Sequence, residues 1–137
     1  KKENLYRAIL EEGTTLNGAI LKVNSNSGPT TLFADRSLKD SPHFRELSRR
    51  FKIIFKGGAV INALSTLSSP PACYFKYPKE SEGGGSVWDF AATSLIVKEA
   101  GGVATDFYEN NLDLNRTDST YMNHKGVYFS SSTIRTV

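Results

Sequence analysis

The sequence predicts an α/β fold, in which helices cover a β-sheet. Between residues 30 and 130, short runs of β-branched and aromatic residues alternate with segments whose apolar residues recur every three or four positions. Glycine pairs and a Ser-Pro pair stand at the boundaries of these segments and mark turns and helix ends. Strands that alternate with helices are typical of α/β domains. With 39% hydrophobic and 23% charged residues, the 137-residue chain has a globular composition.

The first 29 residues are predicted to form a separate β-hairpin segment. Asn17 and Gly18 stand between two short apolar runs, and an Asn-Gly pair in this position is the strongest local signal for a tight hairpin turn. A polar loop, residues 24–29, ends the segment. The strands predicted around these turns are residues 5–10, 14–16 and 19–23.

Residues 30–137 are predicted to form the α/β domain itself, without an internal boundary. Its first helix is expected to begin at Ser41 and Pro42, because serine caps helices well and proline fits the first turn. The segment 131–133, Ser-Ser-Thr, resembles a further helix start. The predicted strands are 31–34, 52–55, 73–77, 103–108 and 126–130, and the predicted helices are 42–51, 59–67 and 90–100.

A glycine-rich segment before the third helix brings several ligand-binding features together. Three glycines, 83–85, precede Trp88 and Asp89, where the helix is expected to start. A helix N-terminus carries partial positive charge and unpaired N–H donors, so it attracts a phosphate group. Asp89 is a candidate ligand for Mg²⁺, because carboxylate oxygens bind this ion, although a carboxylate there also serves as an ordinary helix cap. Trp88 is predicted to be a packing anchor.

The residues around Asp89 resemble the C-terminal signature of the inositol monophosphatase superfamily. This superfamily comprises Mg²⁺-dependent, often lithium-sensitive phosphatases and includes the 3′(2′),5′-bisphosphate nucleotidases. The resemblance implies a layered αβαβα fold with a mixed β-sheet flanked by helices. The chain would be its C-terminal half, preceded by a β-hairpin from the N-terminal half. The matching residues are Trp88, Asp89, Phe90, Ala91, Ala92, Glu99, Ala100, Gly101, Gly102 and Asp106.

The resemblance also implies roles for particular residues. Asp89 takes the position of a metal ligand, and Glu82, seven residues earlier, takes that of a substrate contact. The turn Gly57-Gly58-Ala59 is similar to a family turn that lines the sugar pocket, with Gly58 in place of a threonine. Without the resemblance, Glu82 would be interpreted as a solvated loop acid and the glycine pair as a purely conformational turn.

The activity that the resemblance implies is Mg²⁺-dependent hydrolysis of a phosphate monoester by a metal-activated water. The expected substrate is an inositol phosphate or a similar sugar phosphate. The family's Asp-Pro-Ile-Asp-Gly-Thr metal motif does not precede the hairpin here. The chain is therefore expected to lack the N-terminal half of its protein, with most of the metal-binding carboxylates, and to be inactive alone. The complete protein is expected to be a homodimer.

Two alternatives remain open. A bisphosphate nucleotidase acting on 3′-phosphoadenosine 5′-phosphate would need additional basic and stacking groups, which Lys56, Lys76 or Lys79 would supply together with Tyr77. The segment 35–37, Asp-Arg-Ser, lies loosely where the family has a serine-containing substrate loop. The second alternative is a non-catalytic binding or dimerisation module.

Composition and motifs exclude several other classes. The net charge of +3 and pI near 9.0, without a long basic run, do not indicate a polymeric nucleic acid as partner. Cys73 is the only cysteine, which excludes an internal disulfide and a cysteine-based zinc site and agrees with a cytoplasmic location. No apolar stretch is long enough to span a membrane. His43 and His124 belong to no hydrolase motif and are predicted to be structural or surface residues.

Overall fold

A computed structural model describes residues 3–23 and 25–137, so Asn24 of the predicted polar loop lies outside the described residues. Three strands form the first sheet: β1 (Tyr6–Ile9), β2 (Gly13–Leu16) and β3 (Ala19–Leu21). They are antiparallel in the order β1-β2-β3. Asn17 and Gly18 turn the chain between β2 and β3 with φ of 52° and 83°. The predicted hairpin turn is confirmed, because an Asn-Gly pair tolerates two successive positive φ angles.

Five strands form the second sheet, in the order β5-β4-β6-β8-β7. The first three are parallel, whereas β8 is antiparallel to both of its neighbours, so the predicted mixed α/β sheet is confirmed. The carboxyl ends of the parallel strands lie at one edge of the sheet, which is where α/β proteins place their sites. The elements are β4 (Thr31–Phe33), α1 (Phe44–Arg50), β5 (Lys52–Ile54), α2 (Ala59–Ser68), β6 (Ala72–Lys76), α3 (Val87–Glu99), β7 (Val103–Thr105) and β8 (Val127–Ser130).

Helices cover both faces of the second sheet. Strand β6 shows the two faces, because Tyr74 packs in the cluster with α2 and α3, whereas Cys73 and Phe75 pack in the cluster with α1. Successive side chains of a strand point to opposite faces, so a strand buried on both sides is a continuous apolar run. The sequence Ala-Cys-Tyr-Phe of β6 is such a run, and all four residues are buried.

The first sheet packs on the outer side of α3. The hydroxyl of Thr14 donates a hydrogen bond to the carbonyl of Ile96 at 2.7 Å, and the Glu99 carboxylate accepts from the backbone N–H groups of Glu11 and Gly13 at 3.0 Å. Helix α3 therefore lies between the two sheets. None of the helices in the described part of the chain is both long and apolar enough to cross a bilayer.

The end of α3 follows the sequence prediction. Gly101, with a φ of 90°, donates its N–H to the carbonyl of Lys98, and Gly102 donates to that of Val97, both at 2.9 Å. These two bonds make a Schellman motif, which satisfies carbonyls that the helix leaves unpaired. Gly102 also packs tightly, since a β-carbon there would lie 2.6 Å from the Ser130 carbonyl.

Several predicted boundaries are wrong. The first helix begins at Phe44 rather than Pro42, because Ser41 accepts the N–H of His43 in a separate turn that follows a 3-10 helix, Arg36–Asp40. Strand β7 stops at Thr105 instead of 108, because the Asp106 carboxylate accepts the N–H groups of the next turn. Residues 131–133 form no helix, since their serines bond to Ala72 and to residues 25–27.

Candidate functional site

Polar side chains converge at the carboxyl edge of the second sheet. Asp35 follows β4, Lys76 ends β6, and α2 and α3 start from the same edge. Beside Asp35 lies a cavity of about 240 Å³. It combines an apolar wall with hydroxyl, ammonium and amide groups, as ligand pockets commonly do. Its lining residues include Leu38, Phe75, Tyr77 and Met122 as well as Asp35, Ser37, Ser41, Lys76, Lys79 and Asn123.

The carboxylate of Asp35 is the centre of this edge. One oxygen lies 2.6 Å from the ammonium of Lys76 and accepts the phenol hydrogen of Tyr74 at 3.2 Å. The other oxygen accepts from Asn62 Nδ2 at 3.1 Å. The same amide nitrogen donates to the carbonyl of Gly57 at 2.8 Å. Asp35 therefore ties the turn before α2 to the end of β6.

The buried phenol of Tyr74 is affected by the charges of two carboxylates, those of Asp35 and Asp89. Its pKa is raised above the ordinary value of 10, first by burial, then by the charge of Asp35 and the hydrogen bond to it, and then by the charge of Asp89. Nearby negative charges disfavour a phenolate, so the hydroxyl stays protonated and remains a donor to Asp35. The charges of both carboxylates act on this phenol, and of the two Asp35 is its hydrogen-bond partner.

Asp89 lies in the first turn of α3 and is half-buried. Its Oδ2 accepts the N–H of Ser86 at 2.8 Å, which is the bond of a helix cap. Its Oδ1 accepts no hydrogen bond, and the carboxylate makes no ion pair, among residues 3–23 and 25–137. The predicted cap role is therefore present, and one oxygen is left over.

The chain approaches Asp89 through three glycines whose backbone conformation side chains disfavour. Gly83, Gly84 and Gly85 all have positive φ, at 112°, 79° and 97°. A β-carbon on Gly85 would also lie 2.6 Å from the ring of Phe90, which is fully buried. Side chains disfavour this backbone region and real structures do not show such a contact, so Gly85 is required for the entry into α3.

The other predicted site residues lie at different distances from this centre. The Gly57-Gly58-Ala59 turn leads into α2 and adjoins Asp35 through Asn62. Gly58 caps α2 with a φ of −74°, and a β-carbon there would meet nothing, so the fold does not require glycine at this position. Glu82 lies on the exposed part of the loop before α3 and does not line the cavity.

Residues 3–23 and 25–137 supply a single candidate ligand for Mg²⁺, which is Asp89. Asp89 suits the ion, because a carboxylate held through one oxygen by a backbone N–H offers its second oxygen in a fixed direction. Asp35 is already neutralised by Lys76. In the described part of the chain no three His, Cys, Asp or Glu residues cluster as a metal site. The described residues thus fit one ligand position of a magnesium site and leave the other positions without a protein ligand.

Some residues of the site were not predicted from the sequence. Tyr74 carried no motif, because a buried tyrosine resembles an ordinary core residue, and Asn62 ended the segment that resembles the family turn without a role being predicted for it. A carboxylate directly after a buried strand, which Asp35 is, was the available signal. Lys76, Lys79 and Tyr77, which the nucleotide alternative requires, do line the cavity, whereas Lys56 lies over the Phe33 ring at 5.4 Å.

Three predictions about other polar and aromatic residues can be compared with the structure. His43 packs on the Tyr77 ring at 4.6 Å, and His124 lies 2.6 Å from the Arg116 guanidinium, so both have structural contacts. Asp106, the last residue of the family signature, is buried, and its carboxylate holds a turn by accepting the N–H of Tyr108. The prediction that Trp88 is a packing anchor is wrong, since 68% of its surface is exposed.

Comparison with known proteins gives a consistent result. A sequence model described as the inositol monophosphatase family matches residues 2–134. A 3′(2′),5′-bisphosphate nucleotidase of Emericella nidulans is 37% identical over 62 residues, which are 45% of this chain and 17% of that protein.

Solved structures share the fold at lower sequence identity. An inositol monophosphatase from Anabaena (Nostoc) sp. PCC 7120 is 19% identical with a TM-score of 0.67, over 96% of this chain and 52% of that one. One from Thermotoga maritima is 22% identical with a TM-score of 0.69, over 93% and 46%. SaIMPase-II, solved with 2′AMP bound, is 18% identical with a TM-score of 0.69, over 94% and 48%. The chain spans about half the length of these proteins.

Proposed function

Since the chain belongs to the inositol monophosphatase family, we propose that it is the C-terminal half of a Mg²⁺-dependent phosphomonoester hydrolase. The substrate is an inositol phosphate or a similar sugar phosphate. The observation that carries the proposal is the Asp89 carboxylate, which one hydrogen bond holds at the start of α3 while its other oxygen has no partner in the described part of the chain. Such an oxygen is a natural ligand for a hard divalent cation.

The residues of this chain bind and orient the substrate in the proposed site. Asp89 would contribute one ligand to Mg²⁺, which when bound supplies an activated water and charge neutralisation at the phosphate. The N-termini of α2 and α3 start from the same edge and favour an anion there. The turn of residues 57–59 and Glu82 would orient the alcohol part, and the glycine at 58 leaves open space for it.

Within this proposal the 137-residue chain binds Mg²⁺ weakly and turns over little substrate. Magnesium sites in proteins usually take several oxygen ligands, and the described residues offer one carboxylate for this purpose. Isothermal titration calorimetry of the isolated chain should show no saturation at micromolar Mg²⁺. Micromolar affinity would contradict this part of the proposal and indicate a complete site.

The function is tested by Asp89→Asn in the complete protein, with Asp113→Asn as a control on an exposed carboxylate. The asparagine keeps an acceptor for the Ser86 N–H but removes the charge, so stability should change by less than about 1 kcal/mol. Hydrolysis of inositol monophosphate at saturating Mg²⁺, with lithium inhibition measured alongside, should fall by roughly a hundredfold or more. Activity close to that of the control would remove Asp89 from the mechanism.

A bisphosphate nucleotidase is the second candidate, supported by Lys76, Lys79 and Tyr77 in the wall of the cavity. The partly matching Emericella nidulans protein carries that name. SaIMPase-II has been solved both with 2′AMP and with inositol monophosphate. Asp35 already neutralises Lys76, which leaves Lys79 as the cavity lysine for a second phosphate. Lys79→Ala should therefore lower kcat/KM for a 3′,5′-bisphosphate more than for inositol monophosphate. Equal kcat/KM losses for both substrates would favour the sugar phosphate.

We propose that the complete protein is a homodimer and that it is located in the cytoplasm. The single, buried cysteine supports a protein that needs no disulfide. Sedimentation of the complete protein at two concentrations measures its oligomeric state, and a monomer at both would contradict the dimer. A non-catalytic module is the remaining alternative, which a gene without an upstream acidic metal motif would favour.

A further inference from the structure

The segment that leads into Asp89 is held at both ends by one loop. This segment, residues 79–86, contains Glu82 and the three glycines with positive φ. The loop that holds it, residues 116–124, is called the clamp loop below. We propose that Asn123 and Arg116 of the clamp loop are positioning residues, which set the backbone of the 79–86 segment and through it the Asp89 carboxylate. The functional part of this inference rests on the function proposed above.

Asn123 holds the first end of the segment. Its backbone carbonyl accepts the N–H of Lys79 at 2.8 Å. Its side-chain Nδ2 donates to the carbonyls of Lys79 and Glu80, at 2.9 Å and 3.2 Å. The residue is only 6% exposed and also lines the cavity beside Asp35. One buried amide therefore fixes the direction in which the chain leaves β6.

Two backbone hydrogen bonds hold the second end. Met122 donates its N–H to the carbonyl of Gly85 at 3.0 Å, and Val87 donates its N–H to the carbonyl of Thr120 at 2.9 Å. Between them lies Ser86, whose N–H is the donor to the Asp89 carboxylate. The clamp loop thus determines where that donor lies, and the donor determines how Asp89 is turned.

The segment needs this external support because it cannot hold its own conformation. Glycines lose more backbone freedom on ordering than any other residue, and three in succession have no side chains with which to pack. Residues 78–85 belong to no helix or strand, and backbone bonds to the clamp loop replace a sheet ladder.

Arg116 keeps the clamp loop in shape. Its Nη1 donates to the carbonyl of Tyr121 and lies 2.6 Å from Nδ1 of His124, while Nε and Nη2 donate to the Asp118 carboxylate at 2.6 Å and 3.0 Å. An arginine only donates, so His124 accepts through Nδ1. The side chain of Arg116 is 13% exposed. A single guanidinium joins three points of the loop that carries Asn123.

Hydrogen–deuterium exchange of the 137-residue chain tests the inference without any assumption about activity. In Asn123→Ala and in Arg116→Lys, the amides of Ser86 and Val87 should exchange roughly tenfold faster or more. The variants lack two or three of the hydrogen bonds that oppose opening of the segment, so opening costs less free energy. The amides in the middle of α3, such as that of Val97, should keep their rate. The matched control is Asn110→Ala, which removes a hydrogen-bonded amide from the separate turn at Asp106.

Two exchange results would overturn the inference. Unchanged rates at Ser86 and Val87 would show that the clamp loop does not hold the segment. Equal acceleration of Ser86 and Val97 would show that the variants merely destabilise the whole fold.

Kinetics of the complete protein give the functional arm. Asn123→Ala should raise the Mg²⁺ concentration for half-maximal hydrolysis about tenfold, whereas Asn110→Ala should leave it unchanged. An unchanged Mg²⁺ dependence together with faster exchange at Ser86 would refute a positioning role. If the wild-type protein hydrolyses no phosphate monoester, the proposed function fails, and the exchange rates still decide whether the clamp exists.

Discussion

The Asp35–Lys76 pair gives the most direct quantitative test of how the site is held. Asp35→Ala removes an acceptor from three donors, which are the Lys76 ammonium, the Tyr74 hydroxyl and the Asn62 amide. Asn62 keeps its second partner, the Gly57 carbonyl. Tyr74 is fully buried, and an unpaired buried hydroxyl costs about 1–3 kcal/mol.

The ion pair itself lies between the surface and buried limits, since both side chains are 22% exposed. Exposed pairs contribute about 0–1 kcal/mol, whereas loss of one partner from a buried pair costs about 3–5 kcal/mol. Asp35→Ala should therefore lower the free energy of unfolding by about 3 kcal/mol. Domains of this kind have about 5–15 kcal/mol in total, so the variant remains folded.

A double-mutant cycle separates the pair from the rest of the network. Lys76→Met with Asp35→Ala should show a coupling of about 1–2 kcal/mol, because the two charges are in direct contact. Urea unfolding followed by far-ultraviolet circular dichroism is the suitable assay. Fluorescence is unsuitable, since the only tryptophan, Trp88, is 68% exposed and reports little on the core.

The chain offers a matched control for this cycle. Arg50 and Glu46 also form an ion pair, at 3.3 Å, but on the surface of α1 with side chains 44% and 66% exposed. Their coupling should stay below about 0.5 kcal/mol. If the Asp35–Lys76 cycle is additive to within the same limit, the central role given to Asp35 is wrong.

Three further predictions concern the buried Cys73 thiol and two glycines. Burial raises the pKa of the Cys73 thiol to about 12. The thiol should therefore react with a disulfide reagent at pH 8 only as fast as the chain unfolds. Labelling within minutes in native buffer would contradict this prediction. Because the folded thiol holds its proton more tightly, its contribution to stability is complete below pH 9 and is lost as the pH rises toward 12, and Cys73→Ala should flatten that decline in urea titrations. Gly85→Ala should cost about 2–4 kcal/mol, from the positive φ and the clash with Phe90, whereas Gly58→Ala, with open space around it, should change the midpoint of unfolding little.

Local sequence signals determined the turns and ends that depend on neighbouring residues alone. The Asn17-Gly18 hairpin and the glycine pair after α3 were predicted, because positive φ angles restrict the choice of residue. Strand β6 was predicted because burial on both faces needs a continuous apolar run. The start of α1 was not, since Ser41 and Pro42 are compatible with a turn as well as with a helix cap.

The amino-acid sequence by itself determined the α/β class and the family resemblance and singled out Asp89 as a candidate metal ligand, because each depends on residues close together along the chain. Only the tertiary structure decided that Asp35 pairs with Lys76, that Asn62 joins this pair to the turn before α2, and that the clamp loop holds the entry to Asp89. Asp35 and Lys76 are 41 positions apart, and Asn123 lies 44 positions from Lys79. Such contacts arise from the order in which parallel and antiparallel strands meet at one edge of the sheet, and local periodicity carries no information about that order.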